Sequence, residues 1–195
     1  MVGVEIPRRR KAPLVVAADE GIRPVILEEI AALRPAARDG LHSVAAQTHP
    51  ADGCAGAVVT TTGQAREMSN GEGVATILSA GYARVGKTHM PEAPVPAARA
   101  ALEAAGLTFE QLDAVTTHNP FAVNDIYFSR QTGYPLDRMN SYGCSLIFGH
   151  PQGPTGLRSI TELIEELRLR GGGIGLFTGC AAGDTGAAVV LRVND

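Results

Sequence analysis

The chain alternates between short β-branched segments and helical segments that end at a glycine, and this alternation constrains its fold most. Strands are predicted where β-branched residues cluster, and helices where apolar residues recur every three or four positions. The predicted strands are 57–62, 75–86, 112–118, 173–179 and 186–195. The predicted helices are 24–33, 64–69, 96–106, 122–133 and 155–173. This order predicts a layered α/β domain in which helices pack on a sheet.

Composition and charge exclude several classes of protein. The length of 195 residues fits one ordinary domain or two very small ones. With 45% hydrophobic and 19% charged residues, the composition is that of a folded chain rather than a disordered one. The net charge of −3 gives no electrostatic reason to expect nucleic acid or an anionic membrane as a partner. The 23 glycines favour layers that pack closely, because small residues let a helix approach a sheet.

Location and metal content are predicted from the apolar runs and the cysteines. No run of eighteen apolar residues is present, and the N-terminal sequence lacks the apolar core of a signal peptide. The three cysteines are widely spaced, which fits neither a disulfide framework nor a zinc site. These features predict a cytoplasmic protein with no metal and no membrane contact.

Three polar residues stand at predicted strand ends or in glycine-rich turns, where backbone approaches a ligand closely. They are His118, followed by Asn119, then His150 and Cys180. A cysteine and a histidine that meet can form a nucleophile–base or an acid–base pair, because imidazole titrates near neutrality and stabilises a thiolate. The alternative interpretation is structural: each histidine caps an element or lies on the surface, and Cys180 is a small core residue.

The basic run 8–11, between Pro7 and Pro13, predicts an extended arm with a solvated face, or alternatively a clamp for a phosphate group. The glycine-rich run 171–175 resembles a phosphate loop in composition. Because it follows a helix and precedes a strand, it is interpreted as the end of the helix.

Longer motifs resemble a known family. Residues 140–158 (NSYGCSLIFGHPQGPTGLR), then a helix, three glycines, a strand and CAAGDTGAA at 180–188, resemble the C-terminal half of thiolases. The segment 117–125 (THNPFAVND) is similar to the family block Asn-Glu-Ala-Phe-Ala. Segments 19–40 and 48–59 resemble the link between the family's inserted loop domain and its second catalytic half.

The resemblance implies a fold and a division of the chain. Thiolases contain two similar α/β halves, each with a mixed five-stranded sheet flanked by helices in layers. The resemblance therefore implies such a sheet here. Residues 1–50 are expected to form an N-terminal arm and a remnant of the loop domain, and residues 51–195 the C-terminal catalytic half.

It also implies roles for three residues. His150 corresponds to the histidine that activates the family's nucleophilic cysteine, and Cys180 to the cysteine that removes or returns the α-proton of an acyl-CoA. His118 stands where most of the family has asparagine, and a histidine at this position resembles the sterol-carrier-type branch. It is expected to donate to the thioester oxygen directly or through a water. The nucleophilic cysteine itself belongs to the first half, and none of the three cysteines of this chain corresponds to it.

Four further residues are expected to make oxyanion and substrate-binding contacts: Asn119, Phe121, Ala182 and Gly183. The backbone N–H near Ala182 is expected to stabilise the acyl-enzyme oxyanion. The pattern departs from the family, because a Cys-x-Gly sequence is replaced by Cys-Ala-Ala at 180–182 and a Gly-Asn-Ser-type sequence by Thr-His-Pro-Ala at 48–51.

The resemblance implies one subunit of a split thiolase that cleaves 3-oxoacyl-CoA or runs the reverse Claisen condensation. A second subunit would supply the nucleophile in a hetero-oligomer such as α2β2, with a coenzyme A thioester as substrate and no other cofactor. Two alternatives remain: a non-catalytic scaffold or regulatory subunit of a thiolase complex, and a coenzyme A binding module. A small zinc-bearing OB-fold protein is a further conceivable partner.

Overall fold

A computed structural model describes residues 3–19 and 21–194 and contains most of the predicted elements. The strands are β1 (Val4–Arg8), β2 (Lys11–Val16), β3 (Val74–Arg84), β4 (Ala114–His118), β5 (Gly173–Ala181) and β6 (Thr185–Asn194). The helices are α1 (Leu27–Ala31), α2 (Thr62–Met68), α3 (Pro94–Ala105), α4 (Ala122–Thr132), α5 (Ser145–Phe148) and α6 (Thr155–Leu169).

Four of these strands form one mixed sheet, in the order β3–β6–β5–β4. β6 is antiparallel to both of its neighbours, whereas β4 runs parallel to β5. A mixed sheet flanked by helices confirms the predicted α/β class. The parallel pair has a functional consequence, because the carboxyl ends of β4 and β5 meet at one edge of the sheet.

Helices cover both faces of the sheet because its inner strands are apolar on both sides. Leu176 and Val190 pack in one core cluster with residues of α3, while Phe177 and Leu191 pack in a second cluster with residues of α6. Adjacent residues of a strand point to opposite faces, so consecutive apolar residues fill both layers. This arrangement is typical of a sheet between two helical layers.

Small residues set the distance between α3 and the sheet. A Cβ at Gly81 of β3 would lie 2.2 Å from the carbonyl oxygen of Ala97 and 2.5 Å from the backbone nitrogen of Ala101. Both alanines are completely buried. Glycine facing alanine therefore allows the close packing that the composition predicted.

The predicted helix ends are confirmed where glycine adopts the left-handed conformation. Gly106 ends α3 with φ +66°, and Gly133 ends α4 with φ +77°. α6 ends before the glycine run at 171–173, in agreement with the interpretation of that run as a helix stop. Within residues 3–19 and 21–194, no helix has the length and apolar character needed to cross a membrane.

The predicted strand at 57–62 is wrong. Residues 57–61 have no regular hydrogen-bonded structure, and Val58 and Val59 are 72% and 79% exposed. A β-branched run becomes a strand only where a neighbouring strand takes its hydrogen bonds, and none does so here among the described residues. The described part of the chain thus contains a four-stranded sheet where the resemblance implied five strands.

The first fifty residues contain more structure than the predicted arm. β1 and β2 form an antiparallel hairpin whose turn carries the basic run. α1 begins at Leu27, three residues after Pro24, and contains no buried residue. Beyond it, residues 47–50 pair with the main domain through isolated bridges to Phe121 and His150. The last part of this segment therefore contacts the loops that carry the candidate site residues.

Candidate active site

His118, His150 and Cys180 line one cavity of about 290 Å³. His118 is the last residue of β4, and its register partner on the parallel strand β5 is Gly179, the residue before Cys180. His150 precedes α6 and reaches the same edge of the sheet. The residues that the sequence singled out therefore lie together at the carboxyl ends of two parallel strands, where ligands collect in α/β sheets.

His118 is a buried, neutral imidazole. Its side chain is 7% exposed, and burial, followed by the nearby His150 and Arg158, lowers its pKa to about 4. The two histidine rings lie with their centroids 4.4 Å apart, and the Nδ1 of His118 is 2.8 Å from the hydroxyl oxygen of Ser145. Only Nε2 is therefore left for a ligand.

His150 is held at the start of α6. Its Nδ1 lies 2.9 Å from the hydroxyl oxygen of Thr155, and its backbone N–H donates to the carbonyl oxygen of His49. Gly149, just before it, has φ +83°, and a Cβ there would lie 2.6 Å from the Cβ of Ala51. Burial lowers the pKa of His150, so this ring is also neutral at pH 7 and able to accept a proton.

Cys180 faces the cavity with little exposure. Burial raises the pKa of its thiol, and a hydrogen bond from the side-chain amide of Asn124 to its sulfur, 3.5 Å long, opposes that shift. Asn124 is buried, and its Oδ1 accepts from the backbone N–H of Phe121. The site therefore contains two neutral imidazoles and one protonated thiol.

Among the four other predicted site residues, only Ala182 lines this cavity. Asn119 is buried behind it and donates to the carboxylate of Asp125. Phe121 immediately precedes α4 and is 37% exposed, and Gly183 lies in the β5–β6 turn beside Arg84. This placement differs from the direct contact expected of Asn119, Phe121 and Gly183, and the roles of all the site residues stay predictions.

A polar network supports the end of β4 from behind. Asp125 accepts from the hydroxyl of Thr117 and from the amides of Asn119 and Asn140. Burial raises the pKa of Asp125, and these three hydrogen bonds oppose the shift. The network fixes the chain on either side of His118.

Sequence reasoning did not find Asn124, Ser145 or Thr155, which contact the reactive side chains. Each stands three to six residues from a predicted site residue, at or near the start of a helix. Their position at helix starts is the sequence signal that could have identified them, because polar side chains at the start of a helix turn back toward the preceding loop. Among residues 3–19 and 21–194, no group of three or more His, Cys, Asp or Glu is placed so that it could hold a metal ion.

Residues 71–193 match the family model of the thiolase C-terminal domain. The chain belongs to the thiolase family. A 3-ketoacyl-CoA thiolase of Erwinia tasmaniensis is 35% identical over 191 residues, which cover 86% of this chain and 43% of that protein. A probable acetyl-CoA acetyltransferase of Mycolicibacterium smegmatis is 31% identical over 98% of this chain and 50% of its own length.

A solved structure has the same fold as this chain. The acetyl-CoA acetyltransferase of Bacillus anthracis superposes with a TM-score of 0.87 at 26% identity, over 99% of this chain and 49% of that one. The chain thus spans about half the length of the thiolases it matches, and that half is the C-terminal one. This confirms the recognised resemblance.

The buried His118 of this thiolase half gives a pH prediction. Because its pKa is about 4 when folded and near 6.5 when unfolded, the unfolded chain binds the proton first as the pH falls. The stabilisation of the folded state that depends on a neutral His118 is fully present above pH 6.5 and is lost as the pH falls toward 4. Between pH 7.5 and 4.5, the free energy of unfolding should fall by roughly 2–3 kcal/mol more in the wild type than in His118→Asn.

Urea denaturation of both proteins at the two pH values measures this difference. Asp125 and His150 titrate in both proteins, so their contributions largely cancel in the comparison. Equal pH dependence in the two proteins would mean that His118 is not held neutral by the fold.

Proposed function

We propose that this chain supplies the proton-handling half of a thiolase active centre, acting on coenzyme A thioesters as an acyltransferase. The observation that carries the proposal is the convergence of His118, His150 and Cys180 on one cavity. Two neutral imidazoles and a thiol can accept, donate and return protons near neutral pH without a metal. Membership of the thiolase family supports this reaction class.

In the first step, His150 takes the proton of the nucleophilic thiol. Its Nδ1 is occupied by Thr155, so Nε2 is the nitrogen that accepts. The sulfur then attacks the thioester carbonyl, and coenzyme A leaves with a proton from the imidazolium. Positive charge at the N-terminus of α6, where Thr155 lies, favours the thiolate that forms beside it.

In the second step, the thiol of Cys180 loses its proton to solvent, and the resulting thiolate removes the α-proton of another acyl-CoA. The enolate attacks the acyl-enzyme carbonyl, a C–C bond forms, and the nucleophilic sulfur leaves as a thiolate that solvent reprotonates. In the cleavage direction the thiol of Cys180 gives its proton to the carbon of the enolate. The raised pKa of Cys180 suits both directions, because a less acidic thiol gives a more basic thiolate and is fully protonated at rest.

The nucleophile itself comes from a second polypeptide that carries the N-terminal thiolase half, in a cytoplasmic hetero-oligomer. Cys54 is exposed, and neither it nor Cys144 lines the cavity, so Cys180 is the single thiol there among the described residues. An apolar groove of about 450 Å³, bounded by residues 57–60, β3 and α6, offers such a partner a contact surface. In this proposal, residues 51–195 form the catalytic half, and residues 1–50 are the N-terminal arm and the remnant of the loop domain.

The test compares acetoacetyl-CoA thiolysis by wild-type and His150→Ala/Cys180→Ser chains, each co-purified with the partner polypeptide. We expect turnover with the wild type and none above background with the double variant. A matched control, Cys54→Ser/His89→Ala, changes the same residue types at exposed positions and should retain full activity. An unchanged rate in the first double variant would identify the chain as a non-catalytic scaffold.

A further inference from the structure

Ser145 and His118 form a buried pair of partners in the candidate active site. Ser145 is the first residue of α5 and is completely buried, and its hydroxyl oxygen lies 2.8 Å from the Nδ1 of His118. The backbone around the pair is fixed as well, because the hydroxyl of Thr48 donates to the carbonyl oxygen of Ser145 and the backbone N–H of Thr48 donates to Pro120. The hydroxyl is therefore held against one particular ring nitrogen.

The Ser145 hydroxyl carries one proton, which needs a hydrogen-bond acceptor. Among the described residues, the hydroxyl of Ser145 has a single hydrogen-bond partner, the Nδ1 of His118. If Nδ1 carried a proton and donated it to Ser145, the hydroxyl proton would be buried with no acceptor, which costs about 1–3 kcal/mol. If the hydroxyl donates to an unprotonated Nδ1, both groups are satisfied.

We propose that Ser145 selects the tautomer of His118, so that the ring proton resides on Nε2 and points into the cavity as a hydrogen-bond donor. A neutral imidazole carries one proton only, and burial keeps this ring neutral at working pH. The proton that Ser145 excludes from Nδ1 is therefore always available at Nε2. Ser145 acts as a positioning residue, since its effect on the reaction passes through His118.

This assignment, which rests on the proposed function, gives the two histidines different roles in proton transfer. A donor at Nε2 of His118 stabilises the negative charge that develops on a thioester oxygen when the α-proton is removed. The same nitrogen cannot act as the base, so that role stays with Cys180. His150, whose Nδ1 contacts a threonine hydroxyl at the start of a helix, keeps a proton-accepting role toward the nucleophile.

Nitrogen-15 NMR of histidine-labelled full-length chain reads the tautomer directly. We expect His118 of the wild type to be protonated at Nε2 and unprotonated at Nδ1 between pH 6 and 8. Ser145→Thr keeps the hydroxyl and should keep this tautomer, whereas Ser145→Ala should give averaged shifts from a mixture of both. Ser79→Ala, which removes a hydroxyl bonded to a backbone carbonyl far from the site, is the matched control and should leave the spectrum unchanged.

A wild-type ring protonated at Nδ1 would overturn the proposal, and so would a tautomer that Ser145→Ala leaves unaltered. The wild-type and threonine spectra decide the matter even if the alanine variant fails to fold. These results do not depend on turnover, so they separate this inference from the proposed function: an inactive complex with His118 protonated at Nε2 contradicts only the latter.

Kinetics of the partner complex give the functional readout. Ser145→Ala should lower kcat about tenfold with little change in KM, less than the ~100-fold that removal of an oxyanion donor costs. Ser145→Thr should restore kcat. A loss that threonine fails to restore, or that falls on KM alone, would contradict the positioning role.

Discussion

In the complex with its partner, Cys180→Ser should lower the rate of α-proton exchange between acetyl-CoA and D₂O by about 10³-fold. A serine hydroxyl is much less acidic than a thiol, so its alkoxide is not formed at neutral pH and no base is left to remove the α-proton. Acylation of the nucleophilic cysteine should persist, because that step uses His150 and not Cys180. The measurement is deuterium incorporation by mass spectrometry, together with the mass of the acylated partner.

Cys54→Ser provides the control, since Cys54 is exposed and removed from the cavity. Its exchange rate should equal that of the wild type. Retention of exchange in Cys180→Ser would show that another group removes the proton and would remove Cys180 from the reaction. Loss of acylation in the same variant would instead indicate that the substitution damages the whole site.

His150→Ala should have the complementary effect and block the acylation step itself by about 10²- to 10⁴-fold. Without the imidazole, the nucleophilic thiol has no neighbouring base to take its proton. α-Proton exchange by Cys180 should fall much less, because Asn124 and the apolar surroundings of that thiol are untouched. The measurement is the rate at which the partner's cysteine gains an acyl group from acyl-CoA.

The control for this variant is His89→Ala, which removes an exposed histidine paired with Glu92. Equal acylation in His150→Ala and wild type would exclude His150 as the activating base. Together, the two variants separate the two half-reactions, which a scaffold with no chemical role would leave unaltered.

The sequence predicted those elements that are determined by nearby residues. α3 and α4 end at Gly106 and Gly133 because glycine adopts a positive φ without strain, and such a stop can be read from the sequence alone. The meeting of His118 with Cys180 was also predictable, because both stand at the carboxyl ends of strands, and the carboxyl ends of parallel strands meet at one edge of the sheet. The resemblance to thiolases supplied the roles and the order of the motifs.

What the sequence did not predict depends on contacts between distant segments. The run 57–62 has the composition of a strand, but whether it pairs is decided by its neighbours, and it stays unpaired in the described structure. Ser145 lies 27 positions from His118, and Asn124 lies 56 positions from Cys180, so neither contact follows from local spacing. Asn119 adjoins His118 in sequence but points to Asp125, because successive residues beyond a strand turn to different sides.

The most direct test of the divided active centre is a titration of activity. A fixed amount of the polypeptide with the nucleophilic cysteine is mixed with increasing amounts of this chain, and thiolysis of acetoacetyl-CoA is followed. We predict no turnover by either polypeptide alone, and a rate that rises with added chain until it saturates at a fixed ratio. Turnover by this purified chain without any partner would contradict the account.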